Sequence, residues 1–170
     1  MQFLKSLSLI CFALRKPLVI VGGQIEQLQA GDTLDASVSE VDVVSLTNDE
    51  AGTVDPGTPV YIDANNGFKK ARANAAGTKD VIGLAAASIL TGVAGMIQTD
   101  GILTLTTGQW DTITGGSGGL TFNTRYYLDP ATAGKLTTTA PTTVGQYVAP
   151  VGIAISTTSL EISIETDVLL

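Results

Sequence analysis

The sequence predicts an all-β protein made of two related β units, folded as a β-sandwich or barrel, with an extended N-terminal arm and at most one short helix near Trp110. Three observations lead to this prediction. Of the 170 residues, 44% are hydrophobic, 15% are charged and 19 are glycine, a mix that favours short strands and turns over helices. Short apolar runs are separated by turn residues along the chain. A similar series of strands and turns also occurs twice in the same order.

The N-terminal arm is predicted over residues 1–35. It begins with "MQFLKSLSLICFALRK", whose apolar run is too short to span a bilayer and has no small-x-small cleavage site after it. An apolar terminus stays ordered only when something holds it, so we expect this arm to dock onto a partner or a neighbouring subunit. The alternative is an amphipathic helix packed on its own domain. The predicted anchors are Phe3, Leu4, Leu7, Ile10, Phe12 and Leu14.

The first β unit is predicted over residues 36–105, after a leader strand "LVIV". A strand "SEVDVVSLT" leads to Asp55-Pro56-Gly57, a strong turn signal. The strands "PVYID" and "FKKARA" flank Asn66-Gly67, which indicates a hairpin. Gly83 lies inside the apolar strand "DVIGLAAAS" and indicates a bulge or a close approach of two backbones.

The second β unit is predicted over residues 106–170. Thr106 or Thr107 can cap a single helical turn that holds Trp110, and Gly115–Gly119 would end it. After this turn the pattern restarts with "RYYLD", a turn, "GKLTTT", a proline loop, "YVAPVGIAIS" and "LEISIE".

Aligning the two units shows an internal repeat. "YID" matches "YLD", "GFK" matches "GKL", "VIGLA" matches "PVGIA", and "VVSLTND" matches "ILTLTTG". These matches follow one another in order, which chance does not readily produce. Two such units can form one sandwich or barrel, or two sister lobes.

The residue types exclude several classes of function. The chain has no histidine and one cysteine, so it cannot build a histidine-dependent nucleophile system, a histidine metal site or an internal disulfide. A net charge of −7 argues against nucleic-acid binding. The basic cluster Lys69, Lys70 and Arg72 is interpreted as the solvated edge of a sheet.

No motif predicts a catalytic, cofactor or metal site. Asp63, Asn65 and Asn66 resemble part of a calcium loop, but the downstream glutamate that such a loop requires is missing. The aspartates lie mostly among glycine, proline, asparagine and threonine, where they shape turns, and no pair stands out as glycosidase-like. The run "GGSGG" is not followed by the GK[ST] of a phosphate loop.

The aromatic residues of the second unit leave two interpretations open. Trp110, Tyr126 and Tyr127 could stack on a sugar, or they could fill the core; the core is favoured for Trp110. Adjacent strand residues point to opposite faces of a sheet, so one of the two tyrosines is expected to face out and meet a partner. Tyr126 is the predicted contact residue.

Most of the chain after residue 17 resembles structural proteins of tailed bacteriophages. The segment "LTTGQWDTITGGSGGLTFNTRYYLDPATAGKL" is similar to a module of head decoration and fibre proteins, and "LVIVGGQIEQLQAGDTL" to a leader of virion proteins. The first unit resembles capsid cement proteins, including a glycine pattern at Gly83, Gly92 and Gly95. The resemblance implies a non-enzymatic decoration protein that sits as a homotrimer on the outer surface of the shell formed by the major capsid protein.

The resemblance also implies a place and partners for the protein. It would be assembled in the host cytoplasm and reside in the virion, binding the major capsid protein and itself, with no cofactor, membrane or nucleic acid. The alternative is a head-fibre or tail-associated adhesion module that recognises a host receptor or glycan. An enzyme such as a depolymerase is a third class, disfavoured by the missing histidine and the unpaired carboxylates.

Overall fold

The computed structural model describes residues 18–21, 24–27 and 41–170. The chain divides into two compact units, Met1–Ser37 and Val38–Leu170. In the first unit, β1 (Leu18–Val21) pairs antiparallel with β2 (Gln24–Gln27), so the predicted "LVIV" strand is confirmed. The predicted anchors of the arm, Phe3, Leu4, Leu7, Ile10, Phe12 and Leu14, lie outside the described residues.

The second unit contains two five-stranded antiparallel sheets. The first sheet has the order β3-β7-β6-β4-β5, and we call residues 43–98 the first repeat. Its strands are β3 (Val43–Thr47), β4 (Pro59–Ile62), β5 (Phe68–Lys70), β6 (Gly83–Ala85) and β7 (Ala94–Gln98). The basic cluster of the sequence lies at and just after β5, which is an edge strand as expected.

The second sheet has the order β10-β9-β12-β13-β8, and we call residues 101–162 the second repeat. Its strands are β8 (Gly101–Thr104), β9 (Arg125–Leu128), β10 (Leu136–Thr137), β12 (Pro150–Ala154) and β13 (Ser159–Ile162). The helix α1 (Thr107–Thr114) lies between β8 and β9, and a small ribbon pairs β11 (Tyr147–Val148) with β14 (Val168–Leu169). The all-β fold class, with two sheet units and one short helix at Trp110 in the described chain, is confirmed.

The two sheets have the same topology. Replacing β3, β7, β6, β4 and β5 by β8, β13, β12, β9 and β10 converts the first strand order into the second. The edge strands also pair in the same register. Val44 on β3 lies opposite Ile97 on β7, and Leu103 on β8 lies opposite Leu160 on β13. The repeat seen in the sequence is therefore a repeat of structure.

Three details of the sequence prediction need correction. The predicted boundary at residue 105 placed β8 in the first unit, but β8 pairs with β13 of the second sheet. The hairpin alignment was one residue out, since Ile62 lies opposite Phe68 and Leu128 lies opposite Leu136. The loop of the second hairpin is longer, which displaced the match. The first hairpin also has a longer turn than a two-residue Asn-Gly loop, with Asn66 alone at positive φ, 65°.

One hydrophobic core joins the two repeats. Its larger cluster combines Ala71, Ala73, Val81 and Leu84 of the first repeat with buried residues of the second, among them Trp110. A smaller cluster belongs to the first repeat alone and contains Val54, Val60, Phe68, Ala85, Ile89 and Ile97. The two repeats are thus parts of one folded body within 38–170.

The helix follows its predicted start and end. Thr106 and Gln109 form a capping box, in which the Thr106 amide donates to the Gln109 side chain over 2.8 Å and the Gln109 amide donates to the Thr106 hydroxyl over 3.3 Å. Gly115 ends the helix at φ 70°. The helix presents Trp110 and Ile113 to the core.

Candidate interaction surface

Several aspartates of the described residues hold turns. Asp63 Oδ1 accepts hydrogen bonds from the amides of Asn65, at 2.9 Å, and Gly67, at 3.2 Å. The Asp111 carboxylate accepts hydrogen bonds from the amides of Gly118 and Gly119. These bonds anchor the glycine-rich loop to α1. Among the residues described, no three metal-ligating side chains cluster.

The Asp63 carboxylate is held in its charged form. Burial works against the charge, but the hydrogen bonds from Asn65 and Lys69, the nearby Lys69 charge and the Gly67 amide outweigh it and hold the pKa of Asp63 below its ordinary value. Lys69 Nζ lies 3.3 Å from the carboxylate. The residues that resemble part of a calcium loop are therefore occupied in closing the β4–β5 hairpin.

A second charged group joins distant segments of the unit. Lys79 Nζ pairs with Asp80 and, at 2.9 Å, with Asp167, and it lies 5.2 Å from the centroid of the Tyr147 ring. The hydrogen bonds that Lys79 donates to Asp80 and to Asp167 raise its pKa, against a smaller opposing effect of burial. This ion-pair group, the Lys79 clamp, connects the first repeat to the C-terminal segment.

The clefts found among the described residues are small. One, of about 190 Å³, is lined by the Lys79 clamp with Pro150 and Ile164. Another, of about 230 Å³, is lined mainly by glycines and hydroxyl side chains near Thr137. Sites for drug-sized ligands usually occupy about 300–1,000 Å³, so neither cleft resembles a site for a ligand of that size.

The structure corrects the predicted contact residue Tyr126. Its side chain is only 2% exposed and belongs to the core, and its hydroxyl accepts a hydrogen bond from the Thr121 amide at 2.9 Å. Tyr127 is the half-exposed neighbour, so the alternation was right and the choice of face was wrong. Trp110 is fully buried and donates from Nε1 to the Thr158 carbonyl at 2.8 Å, which confirms its predicted place in the core.

One group of exposed apolar side chains lies at one end of the first sheet. Val41, Val43, Val44 and Met96 lie on or beside β3 and β7 with their side chains exposed, and we call this set the β3 edge. β3 is the last strand of its sheet, so one of its sides has no strand neighbour among the residues described. Strand β3 itself, "VVSLT", carries no charge.

Comparison of the repeats shows a difference at Val44, although Val43 and its counterpart Ile102 are equally exposed, at 41%. Val44 of β3 is 40% exposed, whereas Leu103, at the equivalent place on β8, is 5% exposed. Val43 and Met96 point to one face of the sheet and Val44 points to the other, so the β3 edge has exposed apolar side chains on both faces, and a bare apolar edge strand invites pairing. The β3 edge is therefore the candidate interaction surface.

Sequence analysis missed the β3 edge as a site, although it predicted the strand. The signal was present in "VDVVSLT", which has valines at successive positions where a strand with one buried face would alternate. Phe122, which is 70% exposed, was also missed.

No helix of the described chain is long and apolar enough to cross a membrane. Comparisons with protein families, with curated proteins and with solved structures find no match to this chain.

Proposed function

We propose that this protein is a capsid decoration, or cement, protein of a tailed bacteriophage, which binds the outer surface of the major capsid shell and stabilises it without catalysis. The observation that carries the proposal is the β3 edge, an uncharged apolar strand edge exposed on a protein of net charge −7. The sequence resemblance to cement proteins supports the same function.

The mechanism is linkage between binding and shell stability. A protein that binds only the assembled shell stabilises it by an amount that grows with its free concentration, about 2.7 kcal/mol per site at one hundred times Kd. The apolar β3 edge would supply the contact with the shell, and the predicted N-terminal arm would add further anchors. The acidic surface suits an outward position, away from packaged DNA.

A binding experiment tests this proposal. Purified protein is mixed with expanded shells of the major capsid protein and sedimented, alongside the Val44→Asp variant and a protein lacking residues 1–16. A buried aspartate without a partner is costly, so Val44→Asp should weaken shell binding at least about tenfold. Val144→Asp, at a highly exposed valine outside the β3 edge, is the matched control and should bind normally.

The same experiment separates the decoration protein from its alternative. Loss of binding in the truncated protein would assign the arm to the capsid contact, whereas unchanged affinity would remove the arm from the proposal. The opposite outcome is that the intact protein fails to bind shells and occurs in far fewer copies per virion than the major capsid protein. That result would favour the fibre or tail adhesion module over the decoration protein. Trp110, Tyr126 and Tyr127 were the three aromatics considered for glycan stacking. Trp110 and Tyr126 are buried, so of these three only Tyr127 is accessible to a glycan.

A further inference from the structure

A turn of the first repeat is covered by the second repeat. Gly57 has φ 82°, and a Cβ placed on it would meet Leu105 Cδ1 at 2.9 Å, Trp110 Cζ3 at 3.1 Å and Ile113 Cγ1 at 3.2 Å. Gly57 and the next residue, Thr58, are both buried. The turn before β4 is thus packed under α1 and Leu105.

The second repeat has the same turn before β9. The Gly57 amide donates to the Ala85 carbonyl at 2.8 Å, and the Asn123 amide donates to the Ala154 carbonyl at 2.8 Å. Asn123 also has a positive φ, 56°. Because Ala85 and Ala154 occupy matching places on β6 and β12, Asn123 is the counterpart of Gly57, and Phe122 is the counterpart of Pro56.

The second copy of the turn is uncovered. Asn123 is exposed and Phe122 is 70% exposed, whereas their counterparts Gly57 and Pro56 are buried and half-buried. Asparagine tolerates the left-handed backbone at this position. Glycine is required in the first turn because a side chain there would collide with the residues packed over it. A bare phenylalanine at the tip of such a turn is the type of side chain that anchors protein interfaces.

The first repeat, in turn, has an exposed apolar surface at the place that corresponds to Leu105. Leu105 covers Gly57, and its counterpart on β3 is Leu46, which is half-buried. The loop that precedes β7 carries Leu90, 62% exposed, and Val93, 48% exposed, and the Val93 carbonyl accepts a hydrogen bond at 3.0 Å from the amide of Asn48, just after β3. In the described part of the chain, the Phe122 turn is therefore exposed, and so are apolar side chains at the place where the first repeat could cover such a turn.

We propose that the Phe122 turn of one molecule packs against the Leu46–Leu90–Val93 surface of a second copy of this chain. Within one molecule, the second repeat packs on the turn of the first repeat. The proposed contact is the same kind of packing between two molecules. It joins two different surfaces, so it is a head-to-tail contact, which closes into a ring or extends as an open chain. The proposal rests on the duplicated fold and not on capsid binding.

The experiment measures the mass of the full-length protein in solution by light scattering after size exclusion. The wild type should form oligomers that dissociate on dilution. Phe122→Asp replaces the apolar side chain of the turn by a charged one, and Leu90→Asp places a charge on the receiving surface. Each variant should therefore associate at least about tenfold more weakly. Both residues are highly exposed, so circular dichroism should show that both variants are folded. Val144→Asp is the control and should assemble like the wild type.

Mixing the two variants distinguishes this contact from others. The Leu90→Asp molecule keeps an intact Phe122 turn, and the Phe122→Asp molecule keeps an intact receiving surface, so the mixture should form heterodimers. A contact of Phe122 with itself would not be restored by mixing. A monomeric wild type, a Phe122→Asp variant that assembles normally, a mixture that stays monomeric or a dissociated Val144→Asp control would each overturn the proposal.

Discussion

At the scale of single residues, two glycines carry the same packing role in the two repeats. A Cβ on Gly83 would collide with the backbone oxygen of Gln98 on β7, and a Cβ on Gly152 would collide with that of Glu161 on β13. The neighbouring atoms belong to the backbones of paired strands and cannot move without disturbing the sheet. The glycine in the predicted strand "DVIGLAAAS" is therefore explained by a close approach of strands, as the sequence indicated.

Substitution of Gly152 by alanine should destabilise the protein. Forcing a methyl group into a packed site costs about 1–3 kcal/mol, and here the obstacle is backbone. Urea unfolding followed by circular dichroism gives the change in the free energy of unfolding. The control is Gly108→Ala on the exposed first turn of α1, where nothing lies within 4 Å of the added Cβ; it should stabilise by up to about 1 kcal/mol. Equal effects of the two substitutions would contradict this explanation.

At the scale of elements, the β4–β5 hairpin should lose stability in acid because of Asp63. Its folded pKa is lowered, so its contribution is present above the unfolded value of about 3.9 and is lost as the pH falls through the folded pKa. Asp63→Asn should therefore destabilise the protein at neutral pH. The difference from wild type should shrink as the pH falls, measured by urea unfolding at several pH values. A difference that is independent of pH would show that the carboxylate charge is not responsible.

The Lys79 clamp should show coupling between its members. The pKa of Lys79 is raised, so its contribution is fully present below the unfolded value of about 10.4 and is lost only as the pH rises through the folded pKa. Lys79→Met and Asp167→Asn should each destabilise the protein at neutral pH. Because the two side chains are 2.9 Å apart, the double variant should be less destabilised than the sum of the single variants. Additive effects, measured by thermal unfolding, would show that the pair does not act as a unit.

Much of the fold followed from local signals in the sequence. Turn residues and apolar runs located the strands, and the repeated order of matches located the two related units, because both depend on neighbouring residues. The choice between Tyr126 and Tyr127 failed for a different reason. Alternation shows that the two side chains point to opposite faces, but the inward face is decided by the core packed around Trp110, a contact between residues distant in the chain.

The exposed surfaces were harder to predict than the elements that carry them. The valines on β3 and Leu90 on the neighbouring loop have the composition of a core, and only comparison with β8 shows that Leu103 is buried where Val44 is exposed. Exposure is a property of the whole assembly of elements. The candidate site therefore became visible only when the two repeats could be compared position by position.

At the scale of the whole molecule, the duplication is asymmetric. The second repeat supplies α1, which packs into its own core and also covers the Gly57 turn of the first repeat. Backbone hydrogen bonds reinforce the contact, from the Ala73 amide to the Asp129 carbonyl at 3.1 Å and from the Gly134 amide to the Ala71 carbonyl at 2.8 Å. The first repeat thus depends on the second for part of its burial.

This dependence predicts that the two repeats unfold together. The shared core would be opened by unfolding either repeat, and the small cluster around Phe68 is too limited to hold the first repeat alone. The calorimetric and van't Hoff enthalpies of residues 38–170 should therefore agree. Fluorescence of Trp110, the single tryptophan, reports the second repeat and should change at the same temperature as the far-ultraviolet circular dichroism of both sheets. Two separate circular dichroism transitions, with Trp110 following only one of them, would show that the repeats are independent lobes joined by a weak contact.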